Sequence, residues 1–194
     1  MNQEKWNKYI HRDEVPHTKH GMCAESREFD FNTMIFPFVD FKDKKVLDIG
    51  CEEGVVISKL NEICGCDCTG ITLDMKRTEN KKNVKIIEAD MHELPLEDES
   101  FDIVLINHTL EHSIAPYIVL SEIKRVLKPS GKFICIMPEE GDSWTSVQSH
   151  YSVFTFRQLF NLLNKLGFNP IINFRKEYTI NLQEFNRDIT AIWE

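Results

Sequence analysis

The sequence predicts an α/β fold: a doubly wound, mostly parallel sheet with an antiparallel C-terminal strand, arranged as a three-layer sandwich. Three observations predict it. From Lys45 onward, apolar runs of strand length alternate with segments of helical periodicity. The connections between them are short, so a parallel sheet covered on both faces is expected. Two late apolar runs, "PIINFRKEY" and "ITAIW", form a terminal pair of strands.

The elements follow in order. Residues 1–44 scatter Trp6, Tyr9, Phe29, Phe31, Phe36, Phe38 and Phe41 among charges, as in a helical cap or lid packed on a main domain at 45–194. Val46–Ile49 is a buried strand, and Val55, Val56, Ile57, Leu60 and Ile63 recur at helical spacing. Further strands are expected at Cys68–Leu73, Val84–Ala89 and Phe101–Asn107. A helix beginning near Ile114 is expected to stop at Lys128-Pro129-Ser130-Gly131, and Lys132–Pro138 forms the fifth strand. The last helix has the strongest end signals. Thr155 and Gln158 fit a capping box, Phe154 and Leu159 a hydrophobic staple, and Gly167 the C-terminal cap.

Composition limits the function. A chain of 194 residues suits one domain. A formal net charge of −8 opposes a phosphate backbone, so nucleic acid is not expected as a partner. No apolar run reaches the length of a membrane span. The polar N-terminus lacks the apolar core of a signal peptide, and the six cysteines read as reduced thiols of a cytoplasmic protein. Cys64, Cys66 and Cys68 lack zinc-ribbon spacing and a second ligand pair. They read as a helix end, a turn and the start of a buried strand, and no metal is expected.

Ligands of parallel α/β sheets bind at the carboxyl ends of the strands. That rule gathers Gly50–Gly54, Thr72–Asp74, Asp90–Met91 and Asn107–His108 along one rim. A dinucleotide fingerprint would need glycine at 50, 52 and 55, yet Glu52 and Val55 stand at two of these. No Gly-Lys-Ser/Thr follows for a Walker loop. Carboxylates beside a pyrophosphate would also repel it by about 1–4 kcal/mol each. An NAD-dependent oxidoreductase is therefore disfavoured. A cationic ligand without phosphate is compatible with Glu52 and Glu53.

Four stretches occur in order: "VLDIGCEEG", "EADMHELPLEDESFDIVLINHTLEH", "RVLKPSGKFI" and "HYSVFTFRQLFNLLNKLGF". Together they resemble the motifs of class I S-adenosylmethionine-dependent methyltransferases, and most of all the small-molecule (type 11 domain) group with "LDIGCGTG" and "RVLKPGG" signatures. The resemblance covers about residues 45–168. It implies a Rossmann-like fold and S-adenosyl-L-methionine as cofactor, with S-adenosyl-L-homocysteine as product. It implies that Asp48, Gly50, Cys51 and Gly54 wrap the methionine part. Many members carry an acid for the ribose at the end of the second strand. Here Thr72 holds that position, with Leu73 beside it and Asp74 two residues on, so the ribose contact is open between Thr72 and Asp74. Asp90 matches the acid that accepts from the adenine amino group, and Met91 the residue that packs on the ring. Asn107 and His108 match the position near the sulfur, while His112 reads as structural. Only residues 75–83 connect Asp74 to the third strand, so a short helix or irregular crossover replaces the longer helix of many relatives.

The expected reaction moves a methyl group to an O, N or C atom of a small acceptor: a metabolite, sugar, lipid head or quinone-like ring. Much of such catalysis is positioning, and a base is required only where the acceptor carries a proton. His150, Tyr151 and His108 are the catalytic candidates. A monomer or homodimer is expected. The alternative reading is a cofactor-binding but inactive partner subunit, supported by Glu52 and Thr72 where relatives carry glycine and an acid.

Overall fold

The computed structural model describes residues 34–78, 83–140, 147–180 and 184–194; Arg77 and residues 175–180 and 184–187 are described by their backbone alone. Seven strands form one sheet in the order β3-β2-β1-β4-β5-β7-β6. They are β1 (Lys45–Ile49), β2 (Asp67–Thr72), β3 (Lys85–Glu88), β4 (Phe101–Asn107), β5 (Leu127–Pro138), β6 (Pro170–Ile180) and β7 (Glu184–Trp193). β1 to β5 pair in parallel, and β7 runs antiparallel between β5 and β6. The helices are α1 (Val55–Cys64), α2 (Pro116–Val126) and α3 (Phe156–Lys165).

Alternation along the strands splits the core into two faces. Leu47, Ile49, Val104, Ile106, Phe133 and Cys135 point to one face, where α2 and α3 cover them with Val119, Leu120, Ile123, Leu159 and Leu163. Val46, Ile103, Leu105, Ile134 and Ile136 point to the other. Ile57 and Leu60 of α1 cover that face, together with Ile35, Val39 and Phe41. These last residues belong to the expected N-terminal cap; residues 1–33 of that cap, including Trp6, Tyr9, Phe29 and Phe31, lie outside the described residues.

Local chemistry accounts for the element ends. Gly65 takes φ 70 after Cys64, so "CGCDC" is a helix end, a turn and a buried strand start, as its spacing implied. In α3 the Thr155 hydroxyl accepts from Gln158 N, and the Gln158 side chain accepts from Thr155 N at 2.9 Å. The far end is a Schellman motif: Gly167 takes φ 79, Gly167 N donates to Asn164 O, and Phe168 N donates to Leu163 O.

One expectation needs correcting. The stop of α2 lies one residue before Lys128-Pro129-Ser130-Gly131, because Leu127 is already extended (φ −78, ψ 131). Pro129 disfavours helical geometry at Lys128. The four residues instead form a bulge in β5, where the pairing jumps from Phe101↔Leu127 to Ile103↔Lys132.

Candidate functional site at the carboxyl rim

The rim is built where β1, β2, β3 and β4 end together. After β1, Gly50 N and Cys51 N both donate to Ile71 O of β2, at 2.9 and 3.0 Å. The turn closes when Gly54 N donates to Cys51 O at 2.8 Å. Gly50 takes φ 78, and a β-carbon there would lie 2.2 Å from Thr109 Oγ1. Only glycine satisfies both demands. Gly54, also left-handed, opens α1 directly over Ile86.

Between the two glycines, Glu52 adopts φ 46. A left-handed conformation costs a residue with a side chain about 1–2 kcal/mol, which explains glycine at this place in the "LDIGCGTG" signature. Both Glu52 and Glu53 are exposed, so water screens their charge. Glu52→Gly is expected to keep ligand affinity within tenfold and to leave stability equal or slightly raised. The relief of strain exceeds the roughly 0.5–1 kcal/mol that glycine's freedom costs in the unfolded chain. Melting temperature and calorimetric titration of S-adenosylmethionine check this; a larger loss of affinity would make the carboxylate a ligand contact.

Asp48 is buried beneath the turn. Burial, and then the Asp48 charge, push the Cys51 thiol up to about 12, so it is a neutral packing group. At the end of β2 the two ribose candidates, Thr72 and Asp74, differ in setting. Thr72 is buried, and its hydroxyl accepts from Asp74 N at 3.2 Å. Asp74 lies beyond the strand and exposed, where its carboxylate accepts from Lys76 N at 2.9 Å and caps a short 3-10 turn, Met75–Arg77. That turn begins the connection expected to be a short helix or irregular crossover; residues 79–82 of it lie outside the described residues. Leu73 between them is 53% exposed, a large apolar side chain left on the rim.

After β3, Asp90 Oδ1 accepts from His92 N at 2.9 Å and meets His92 Nδ1 at 2.6 Å. His92 Nε2 reaches Ser113 Oγ at 2.7 Å, tying this loop to the one after β4. Met91 packs half-buried against the core. Arg125 of α2 braces the following segment by donating to Leu94 O, Leu96 O, Glu122 and Asp98.

At the end of β4, Asn107 Oδ1 is buried with no hydrogen-bond partner among the described residues. Such an orphan acceptor is costly unless a ligand donor fills it. Next to it His108 takes φ 47 and turns inward. Its Nδ1 lies 3.5 Å from Glu111 Oε1 and its Nε2 3.3 Å from Asp188 Oδ2. The second contact lacks hydrogen-bond alignment, so it is an ion pair rather than a directed bond. Burial works against the imidazolium, but Asp188 and Glu111 outweigh it and push the His108 pKa to about 10. The same pairing overcomes burial at Glu111 and holds its carboxyl below the ordinary range. His108 is thus already protonated near neutral pH, which removes it from the candidate general bases.

The other two candidates sit on the segment after β5. His150 lies edge-on to His112, ring centres 4.9 Å apart, and Tyr151 is 51% exposed. Tyr151 N and Ser152 N both donate to Glu111 O, at 2.8 and 3.0 Å. His112 Nδ1 donates to Ser149 O at 3.0 Å. Thr109, Glu111 and Asp188 were not singled out in the sequence. The His-x-x-Glu spacing at 108–111 and the acid that opens the apolar run "DITAIW" were the available signals.

A surface cavity of about 620 Å³ lies elsewhere, beside the C-terminal end of α1, lined by Phe36, Phe38, Phe41, Ile63 and Cys64. It includes none of the rim residues. Burial pushes the nearby Cys66 thiol up to about 11 and the Cys68 thiol higher still.

The sheet order and the glycine turn define a Rossmann-like methyltransferase fold. Residues 47–135 match the family model described as a methyltransferase domain. Among curated proteins the chain is similar to the demethylmenaquinone methyltransferases of Staphylococcus aureus strains JH9 and Newman. Identity is 36% over 104 residues, 49% of this chain and 43% of each relative. The match thus spans less than half of those relatives. Among solved structures it is similar to the S-adenosylmethionine-dependent methyltransferase of Mesorhizobium loti, with TM-score 0.68 and 15% identity over 84% of this chain and 96% of that one. It is similar to the one from Aquifex aeolicus, with TM-score 0.65 and 18% identity over 84% and 89%. The [4+2]-cyclase SpnF is also similar, with TM-score 0.69 and 15% identity over 88% and 80%. These likenesses concern the fold; one fold hosts several chemistries. No helix among the described residues is long and apolar enough to cross a membrane.

Proposed function

We propose that this chain is an S-adenosylmethionine-dependent methyltransferase acting on a small-molecule acceptor. The observation that carries the reading is the rim itself: a glycine turn a β-carbon would close, beside the orphaned, buried Asn107 Oδ1. S-adenosylmethionine, when bound, supplies a methyl carbon on a sulfonium, and its leaving group is the neutral thioether of S-adenosylhomocysteine. The residues present fit that group. The Gly50–Gly54 turn holds the methionine end, with Asp48 beneath it. Thr72 or Asp74 receives the ribose and Asp90 the adenine amino group, with Leu73 and Met91 against the ring. Asn107 accepts a donor near the sulfur. His108 acts as a fixed positive charge under the rim. His150 or Tyr151 takes the proton where the acceptor has one to lose.

A quinone-like acceptor is favoured within the small-molecule class. The name of the Staphylococcus relatives points that way. So does an exposed apolar surface at the start of α2, formed by Ile114, Tyr117 and Ile118. Glu52 and Thr72 favour a second reading, a partner subunit that binds cofactor without turnover. Calorimetric titration with S-adenosylmethionine is the first test; absence of binding up to about 1 mM would overturn both readings. Transfer of labelled methyl to a panel of quinols, sugars and amines then separates them. No transfer despite cofactor binding would leave the inactive subunit.

A further inference from the structure

We propose that Glu111, His112 and His150 form a three-ligand site for a divalent cation of the zinc class, at the acceptor side of the rim. One ligand atom from each of the three side chains lies within 4.8 Å of the others. Two nitrogens and one carboxylate oxygen are a borderline donor set, suited to zinc rather than to magnesium or calcium.

Four further observations point to a cation. First, Glu111 is 1% exposed, and its Oε2 is buried with no hydrogen-bond partner among the described residues. An ionised oxygen in that position is costly without a positive partner. Second, His108 is shared between two buried carboxylates, Glu111 at 3.5 Å and Asp188 at 3.3 Å. Third, the contact to Ser149 O makes His112 Nδ1 a donor, because a carbonyl only accepts. Metal-bound histidines usually carry this second bond to a carbonyl or carboxylate. Fourth, two imidazoles on one tetrahedral ion, with metal–nitrogen bonds of about 2.0–2.1 Å, hold their ring centres about 5 Å apart; here the separation is 4.9 Å.

Two backbone bonds already lock this geometry, since Tyr151 N and Ser152 N converge on Glu111 O. Three protein ligands leave a coordination position for an oxygen of water or of an acceptor. A metal there lowers the pKa of that oxygen. Binding of the ion stands by itself; its use on an acceptor hydroxyl rests on the methyltransferase reading.

The test uses the full chain, stripped with chelator and dialysed against zinc, with metal content measured by mass spectrometry. Cobalt substitution reports coordination through its visible absorption. One equivalent per chain is expected, and His150→Ala and His112→Gln should each weaken binding at least tenfold while circular dichroism stays that of the parent. Zinc could also find His11, His17 and His20 or the thiols, so two controls are included. Their replacement by Gln, and Cys64→Ser with Cys66→Ser, are expected to keep the equivalent. No stoichiometric metal on the parent, or metal that survives His150→Ala and disappears from either control, overturns the site. S-adenosylmethionine titration of the same samples separates the two proposals. Cofactor binding without metal removes the site alone, and metal without cofactor removes the methyltransferase reading alone.

Discussion

Gly50→Ala is expected to lower stability by about 2–4 kcal/mol and to weaken S-adenosylmethionine binding more than tenfold. Two costs combine. At φ 78 a side chain is strained by about 1–2 kcal/mol. The new β-carbon would also meet Thr109 Oγ1 at 2.2 Å, Cγ2 at 2.4 Å and Cβ at 2.8 Å, so no rotation of the threonine relieves the clash. The first turn must then lift off Ile71 O, which receives both Gly50 N and Cys51 N. For a chain of this size the loss corresponds to roughly 5–15 °C in melting temperature. Gly50→Ala with Thr109→Gly removes the clash and keeps the backbone strain, so it is expected to recover part of the loss. A parental melting curve and affinity in Gly50→Ala would show that the turn is not held as described.

The second large effect concerns pH. His108 has its pKa raised from 6.5 to about 10 by Asp188 and Glu111 against the opposing effect of burial. A raised pKa means that the folded chain holds this proton where the unfolded chain releases it. Its stabilisation is complete below pH 6.5 and is lost as pH climbs through about 10. Glu111, lowered from 4.5 by His108 against its own burial, contributes above that pH and loses its contribution as pH falls below it. Together they place the network's optimum between pH 4.5 and 6.5. His108→Asn tests this without disturbing the backbone, because asparagine tolerates the left-handed conformation. It leaves Glu111 and Asp188 without their imidazolium. A loss of about 3–5 kcal/mol is expected at pH 6, with a flatter decline between pH 6.5 and about 10 in melting-temperature profiles. Parallel profiles for parent and variant would refute the ion-pair account.

What was legible in the sequence was local or periodic. Thr155, Gln158 and Gly167 announce the ends of α3 because capping chemistry acts over a few residues. The two core faces follow from alternation in "FDIVLIN" and "KFICIMP". The glycine turn after β1 was legible for the same reason. The electrostatics were not. His108 read as a rim base because its place after β4 is visible and its partner is not; Asp188 arrives from β7, at the other end of the domain. The setting of Asp74 was not legible either, because the chain turns after Thr72 and Asp74 caps Met75–Arg77. Asp90 could be located, but its bond to His92 depends on a side chain folding back two residues.

The descent of β7 between β5 and β6 has a kinetic consequence. The rim's counter-charge, Asp188, joins residues that precede it by most of the domain, and contacts of that span close late in folding. The pairing of β1 with β2 and β4 involves no residue of the final strand. Competence to bind ligand is therefore acquired after collapse, and in a refolding experiment the cofactor signal trails the burial of that inner sheet.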